Sequence, residues 1–174
     1  NEKSSAKSSP SGMVRRWRSE PMDSPDSKKK KPKKKAPSPR RDGREAAVQY
    51  LYGNDIQGEI DFSDETLEAF WLLRFAKPAA QDFATLIIGG VRDHLSEIDD
   101  AIRGRLENFA FQRLTPVDRN ILRVGGYEVI FANDIPWQVA INEAVEIAKR
   151  FGSEESPGFI NGILDNLRKT QETD

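Results

Sequence analysis

From Pro116 to Leu167 the apolar and polar positions fall into three successive helical patterns with clear punctuation. Thr115-Pro116-Val117-Asp118 reads as a helix start: Thr115 as N-cap, Pro116 at the first helical position, and Asp118 answering the cap three residues on. Val117, Ile121 and Val124, with Leu122, Gly125 and Val129, then give one broad buried face. Asp134-Ile135-Pro136 breaks that pattern. The next stripe is Trp137, Ala140, Ile141, Ala144, Ala148 and Phe151, opposite Gln138, Asn142, Glu146, Lys149 and Arg150. Gly152 is placed as its left-handed C-terminal residue. Ser156-Pro157 opens the third, with Ile160, Ile163, Leu164 and Leu167 inward.

Upstream, helical spacing runs through Ala47, Val48, Leu51 and Tyr52, and a polar, Gly-containing loop follows at Asn54–Glu59. Ser63-Asp64-Glu65 caps a helix through Leu67, Phe70, Trp71 and Phe75. Ala79–Leu95 gives another, with Phe83, Leu86, Ile87 and Val91 inward. Ser96-Glu97-Ile98-Asp99 reads as a capping box for a helix through Ile102 and Leu106. No strand pattern of useful length appears. The expected fold is all-α: about seven helices forming two packed three-helix bundles.

Charge divides the 174-residue chain in two. Residues 1–44 hold 15 Lys/Arg and 5 Asp/Glu, a net of 15 − 5 = +10, and the remainder holds 12 and 23, a net of 12 − 23 = −11. Residues 1–39 are rich in Ser, Pro and Lys without hydrophobic period, which predicts a disordered arm. The arm carries seven lysines within Lys28–Lys35. Such a run either attracts a polyanion without sequence choice or merely solvates the chain. The folded domain is expected over 40–170, with 171–174 as a tail. Cysteine is absent, which removes disulfides, thiol nucleophiles and Cys-based metal sites. The longest apolar run, Ala84–Val91, is too short to span a bilayer. Met13-Val14 leads into Arg15-Arg16-Trp17-Arg18, not a secretory h-region. A cytoplasmic protein with no membrane partner is expected.

Little points to catalysis. His94, the single histidine, lies at a helix end. Gly89-Gly90 and Gly125-Gly126 sit within helical patterns, where they permit close helix packing. Asp99-Asp100 lacks partners at metal-ligand spacing. No cofactor or metal is expected.

Several strings resemble the NusB family. Arg-Glu-Ala-Ala-Val-Gln-x-Leu-Tyr at 44–52 resembles its first helix. More specific are Asp118-Arg119-x-Ile121-Leu122-Arg123, Tyr127-Glu128, Asp134-Ile135-Pro136, Val139–Lys149, Phe151-Gly152 and Phe159–Asp165, in the family's order. The resemblance covers roughly 40–170. It implies an all-helical, non-catalytic factor that pairs with a small-subunit ribosomal protein, NusE. Together they would bind boxA-type RNA of ribosomal RNA leader transcripts and help RNA polymerase resist termination. A module of this kind also forms a domain of certain ribosomal RNA cytosine methyltransferases. The chain stops at Asp174 with no room for a cofactor-binding domain, so a free-standing factor is expected. A helical adaptor binding nucleic acid without sequence choice is the other alternative. Family members differ in self-association, so monomer and homodimer both stay open.

Unpaired RNA is bound by stacking bases on aromatic or Arg planes, with cations on phosphates. Arg40, Arg41 and Arg44 at the entrance of the first helix, with Tyr52 two turns on, supply those groups. Their structural alternative is a solvated helix start and a core ring. Phe159 lies one position off its helix's buried stripe, at the edge of the core or as a stacking platform. Asp118 caps its helix, although the family's acidic residue here is associated with the RNA surface. Arg123 has a phosphate or a neighbouring carboxylate as its expected partner. The resemblance implies that Arg40, Arg41, Arg44, Tyr52, Asp118, Arg123 and Phe159 bind RNA. The arginines at 40–44, Tyr52 and Phe159 are then expected to converge as one cationic, aromatic surface. Gly158 stands where the family pattern leads one to expect a basic or polar residue. Asn142, Glu143 and Glu146 form an outward polar face, a weak candidate for docking the ribosomal protein.

Overall fold

In the computed structural model, residues 37–58, 61–106 and 110–171 are described. The Lys-rich segment and the last three tail residues lie outside them. Seven α-helices follow one another: α1 Pro39–Asp55, α2 Asp64–Leu73, α3 Pro78–Asp93, α4 Leu95–Arg103, α5 Pro116–Ile130, α6 Trp137–Phe151 and α7 Ser156–Gln171, with a 3₁₀ turn at Phe111–Arg113 before α5. No strand occurs among the described residues.

The helix starts follow from local chemistry. The Ser38 hydroxyl accepts from the Arg41 N–H, with Pro39 in the first turn. Ser63 caps α2 through the Thr66 N–H. The Thr115 Oγ1 accepts from the Asp118 N–H at 3.1 Å and donates to Asp118 Oδ2 at 2.9 Å, so the expected cap forms. Four expectations about helix ends fail: Phe75, 92% exposed, lies past the end of α2 at Leu73, Leu106 lies past the end of α4 at Arg103, and Gly152 and Ser96 do not act as expected. Gly152 is extended (φ −89°, ψ −172°), because the chain leaves α6 directly toward Ser156, whose hydroxyl accepts the Ser153 N–H. Ser96 opens nothing: α4 begins at Leu95 straight after His94, which ends α3 without a side-chain cap. Asp99, the far end of that imagined box, is buried against Arg123.

α1 packs closely on α3, and α5, α6 and α7 pack on one another, so two three-helix groups form. α2 joins the first group through Tyr50, whose hydroxyl donates to the Asp61 carbonyl at 2.8 Å and whose ring meets Phe70 edge-on. α5 spans both groups. Ile121, Leu122 and Val124 are buried there, together with Ile87, Val91, Ile98, Ile147, Ile160 and Leu164 from other helices. Leu86, expected inward, is instead 55% exposed. α3 buries Ala80, Ala84, Ile87, Ile88 and Val91, and Leu86 falls beyond the edge of that stripe.

The expected glycine contacts occur at three of the four positions. A Cβ on Gly90 would stand 2.0 Å from the Tyr127 ring, and one on Gly125 would stand 2.7 Å from Leu164. On Gly126 it would meet Ile98 at 3.2 Å, whereas Gly89 has open space. At Gly90 and Gly125 any side chain forces the partner out.

Candidate nucleic-acid interface

The basic start of α1 is largely consumed internally. Arg44 is 2% exposed; its Nε stands 2.9 Å from both Glu128 oxygens, and Glu143 lies 3.8 Å away. Arg41 grips Glu143 with both arms of its fork, Nε to Oε2 at 2.8 Å and Nη2 to Oε1 at 2.7 Å. Burial pushes the Glu128 carboxyl above its usual range, opposed by the hydrogen bonds and charge of Arg44. The Glu143 hydrogen bond leads the causes that raise Arg41 above its ordinary value. Arg40 is exposed and lies over the Phe83 ring at 5.5 Å, which Arg44 also approaches at 5.1 Å. Glu143, expected on an outward face, is thereby half-buried between two arginines. Glu146 pairs with Lys149 at 2.6 Å, and Asn142 is exposed.

At the other end of α1, Asp55 accepts from Arg119 and Asn120, both at 2.9 Å, in the first turns of α5. Tyr52 stands one turn before Asp55 and is 37% exposed, so its ring is not a core ring. Arg123 is buried: it clasps Asp99 at 2.8 Å through both Nε and Nη2, and reaches Asn120 at 3.1 Å and Asp55 at 3.4 Å. Burial works against its charge, but the hydrogen bonds and fields of Asp99 and Asp55 outweigh it and raise the guanidinium above its ordinary value. Its expected carboxylate partner is present, though it is Asp99 and not Asp118.

Asp118 and Phe159 come together. A cavity of about 340 Å³ opens between the starts of α5 and α7, lined by Thr115, Asp118, Ser153, half-buried Phe159 and the exposed Arg113 and Glu155. Asp118 is 8% exposed, and while its Oδ2 holds Thr115, its Oδ1 has no partner. A second cavity of about 320 Å³ also has Phe159 in its wall, together with Arg105, Gly158, Gly162 and Asn166. The expected single surface is therefore divided. Arg44 near the start of α1 pairs with Glu128 near the end of α5, and Asp55 at the end of α1 pairs with Arg119 and Asn120 near the start of α5, so Arg40–Arg44 and Tyr52 occupy opposite ends of α1. Arg40 and Tyr52 are separated by about 18 Å along its axis. The arginines that share these cavity linings with Phe159 are Arg113 and Arg105, which the sequence pattern did not single out. The only signal for Arg113 was its place two residues before the Thr115 cap, and no periodicity marks either one.

Among the described residues no group of His, Asp and Glu could hold a metal ion, and no helix is long and apolar enough to cross a membrane. His94 is occupied by Phe131, stacked at 3.8 Å, and by Glu97 at 3.0 Å.

An all-helical body with a half-buried aromatic ring lining two cavities, and no group of metal-binding side chains among the described residues, has the form of a helical binding module. Residues 41–169 match the sequence model of the NusB family, and the chain belongs to that family. It is 45% identical over 129 residues to the transcription antitermination protein NusB of Trichlorobacter lovleyi, covering 74% of this chain and 89% of that protein. Among solved structures, T. maritima NusB superposes with a TM-score of 0.67 at 39% identity, covering 76% of this chain and 92% of that one. A second is that of the antitermination factors NusB and NusE in complex with double-stranded RNA, at 0.68 and 26% identity, covering 76% and 97%.

Proposed function

We propose that this chain is a transcription antitermination factor. With the small-subunit ribosomal protein NusE it binds boxA-type single-stranded RNA of ribosomal RNA leader transcripts, and it acts on the RNA polymerase elongation complex. The role is one of binding, not catalysis, and places the protein in the cytoplasm. The observation that carries the reading is the cleft at Phe159: a half-buried ring that lines two cavities, one lined also by Arg113 and the other by Arg105. Stacking on such a ring with cations on the flanking phosphates is how unpaired RNA is held. Exposed Arg40 and Tyr52, at the two ends of α1, offer further contacts apart from the cleft, while ion-paired Arg41 and buried Arg44 and Arg123 hold the helices in place. The match to 89% of the T. lovleyi protein favours a free-standing factor over a methyltransferase domain.

The test is competition binding of boxA-type against scrambled RNA at fixed salt, with and without the ribosomal protein. Preference for boxA-type RNA, strengthened by the partner, is expected. Equal affinity for both RNAs under all conditions would leave only a non-specific adaptor.

A further inference from the structure

We propose that the outward face of α2 and the link after it, centred on Leu72, Leu73 and Phe75, docks a cationic amphipathic segment of a further protein. This face lines neither cavity at Phe159 and takes no part in the RNA-binding reading above.

Residues 72–75 invert the usual arrangement of side chains. Leu72 is 88% exposed, Leu73 91% and Phe75 92%, while the side chain of Arg74 between them turns inward. Its Nε donates to Gln49 Oε1 at 2.6 Å and its Nη2 to Asp42 Oδ1 at 2.7 Å, both on α1. The Arg74 backbone N–H donates to the Phe70 carbonyl at 2.9 Å and closes the helix. The apolar side chains are thus held toward solvent by bonds made on both sides of them. Among the other exposed large apolar residues the highest value is 56%, at Ile56. Apolar side chains exposed singly are ordinary. Three at near-full exposure, with Cα atoms within about 11 Å of one another, make a patch of the kind that marks an interaction site.

Charge decides what covers the patch. Glu65, Glu68 and Leu72 follow one another at three- and four-residue steps, so two carboxylates share the helix face of Leu72. Both are exposed, as is Asp64 beside them, and none of the three forms an ion pair among the described residues. Exposed Lys77 stands at the other edge, two residues past Phe75. Carboxylates without partners repel RNA phosphates and anionic lipid alike. A two-fold pair of this chain would set one acidic helix face against another. A helix with apolar anchors at i, i+3 or i+4, and i+7, and Lys or Arg beside them, answers both parts of the surface. Its anchors cover Leu72, Leu73 and Phe75, and its cations meet Glu65 and Glu68. Three anchoring side chains are fewer than a permanent interface uses, so the contact belongs to the transient, salt-sensitive class.

The probe is a labelled helix-forming peptide of about 18 residues, with leucine along one stripe and lysine on its flanks, and a control in which glutamate replaces lysine. Fluorescence anisotropy follows binding to the full chain. The wild-type chain is expected to bind the lysine peptide and not the glutamate peptide. Leu72→Ser and Leu73→Ser should each weaken binding about tenfold and keep the thermal midpoint, since both side chains already lie in solvent. Should one of them lower the midpoint, the other carries the test. Glu65→Lys combined with Glu68→Lys should reverse the preference between the peptides. Affinity for boxA-type RNA should be unchanged in the serine variants, and its loss would place the patch in the RNA surface instead. Serine variants that bind the lysine peptide like wild type would overturn the proposal, as would a wild-type chain that fails to bind it at about 1 mM. A wild-type dimer in sedimentation that Leu73→Ser turns into a monomer would give the face to a second copy. Weakened binding of the ribosomal protein by Leu73→Ser would give it to that partner.

Discussion

The start of α1 and the cleft between the starts of α5 and α7 hold similar side chains in opposite states. At the start of α1, arginines, carboxylates and a phenylalanine close on one another: Arg44 with Glu128, Arg41 with Glu143, and Arg40 over Phe83. In the cleft, Asp118 and Phe159 line an open cavity, with one carboxylate oxygen unpaired. Saturation marks the first as scaffold; the second is the site proposed above. Residue type and position along a helix do not separate these cases. The location of the matching carboxylate does.

The sharpest way to break the comparison is at the saturated end. Glu128→Gln leaves the Arg44 guanidinium buried with only Glu143, at 3.8 Å, to answer it. Losing one partner of a buried pair costs about 3–5 kcal/mol, to be read by urea unfolding. RNA affinity of the protein that remains folded should change little. At the open end the expectation reverses. Phe159→Ala should weaken RNA binding by about 1–3 kcal/mol, roughly 5- to 150-fold. If Glu128→Gln instead abolished binding at full stability, the division into scaffold and site would fail.

Smaller effects sharpen it further. Because burial raises Glu128 above the ordinary glutamate value, the folded chain keeps a proton that the unfolded chain has released. Glu128 therefore favours folding most below the ordinary value, and that contribution is lost as pH rises through the raised one. Comparing the pH dependence of unfolding in wild type and Glu128→Gln should show a steeper decline over that window in wild type. Arg41 is one-third exposed, so Arg41→Ala should cost only about 0.2–1 kcal/mol, less at high salt. Deleting residues 1–36 should flatten the salt dependence of RNA binding and leave the preference for boxA-type over scrambled RNA unchanged.

The helices were legible because the apolar period and the caps agree. Thr115–Asp118 and Ser63 mark starts by hydrogen bonds local to the sequence. Ser96 misled because a cap needs a chain that enters from outside the helix, and α3 runs into α4 with only His94 between them. The family strings named the fold but not the roles within it. Arg44 read as an RNA-facing or solvated group and Arg123 as facing a phosphate or a nearby carboxylate, until Glu128 and Asp99, 84 and 24 residues away in sequence, were placed beside them. Phe159 was legible from its place one step off a buried stripe. Arg113 and Arg105 were not, because cavities form between segments that share no period.

Gly90 and Tyr127 key one three-helix group to the other, the ring of α5 filling the notch left on α3. The halves are therefore not interchangeable parts. A graft that brings α3 from a relative carrying alanine at this notch would unseat the ring, and with it the angle at which the halves meet. Recombination within such a lineage should succeed only where notch and ring are inherited together.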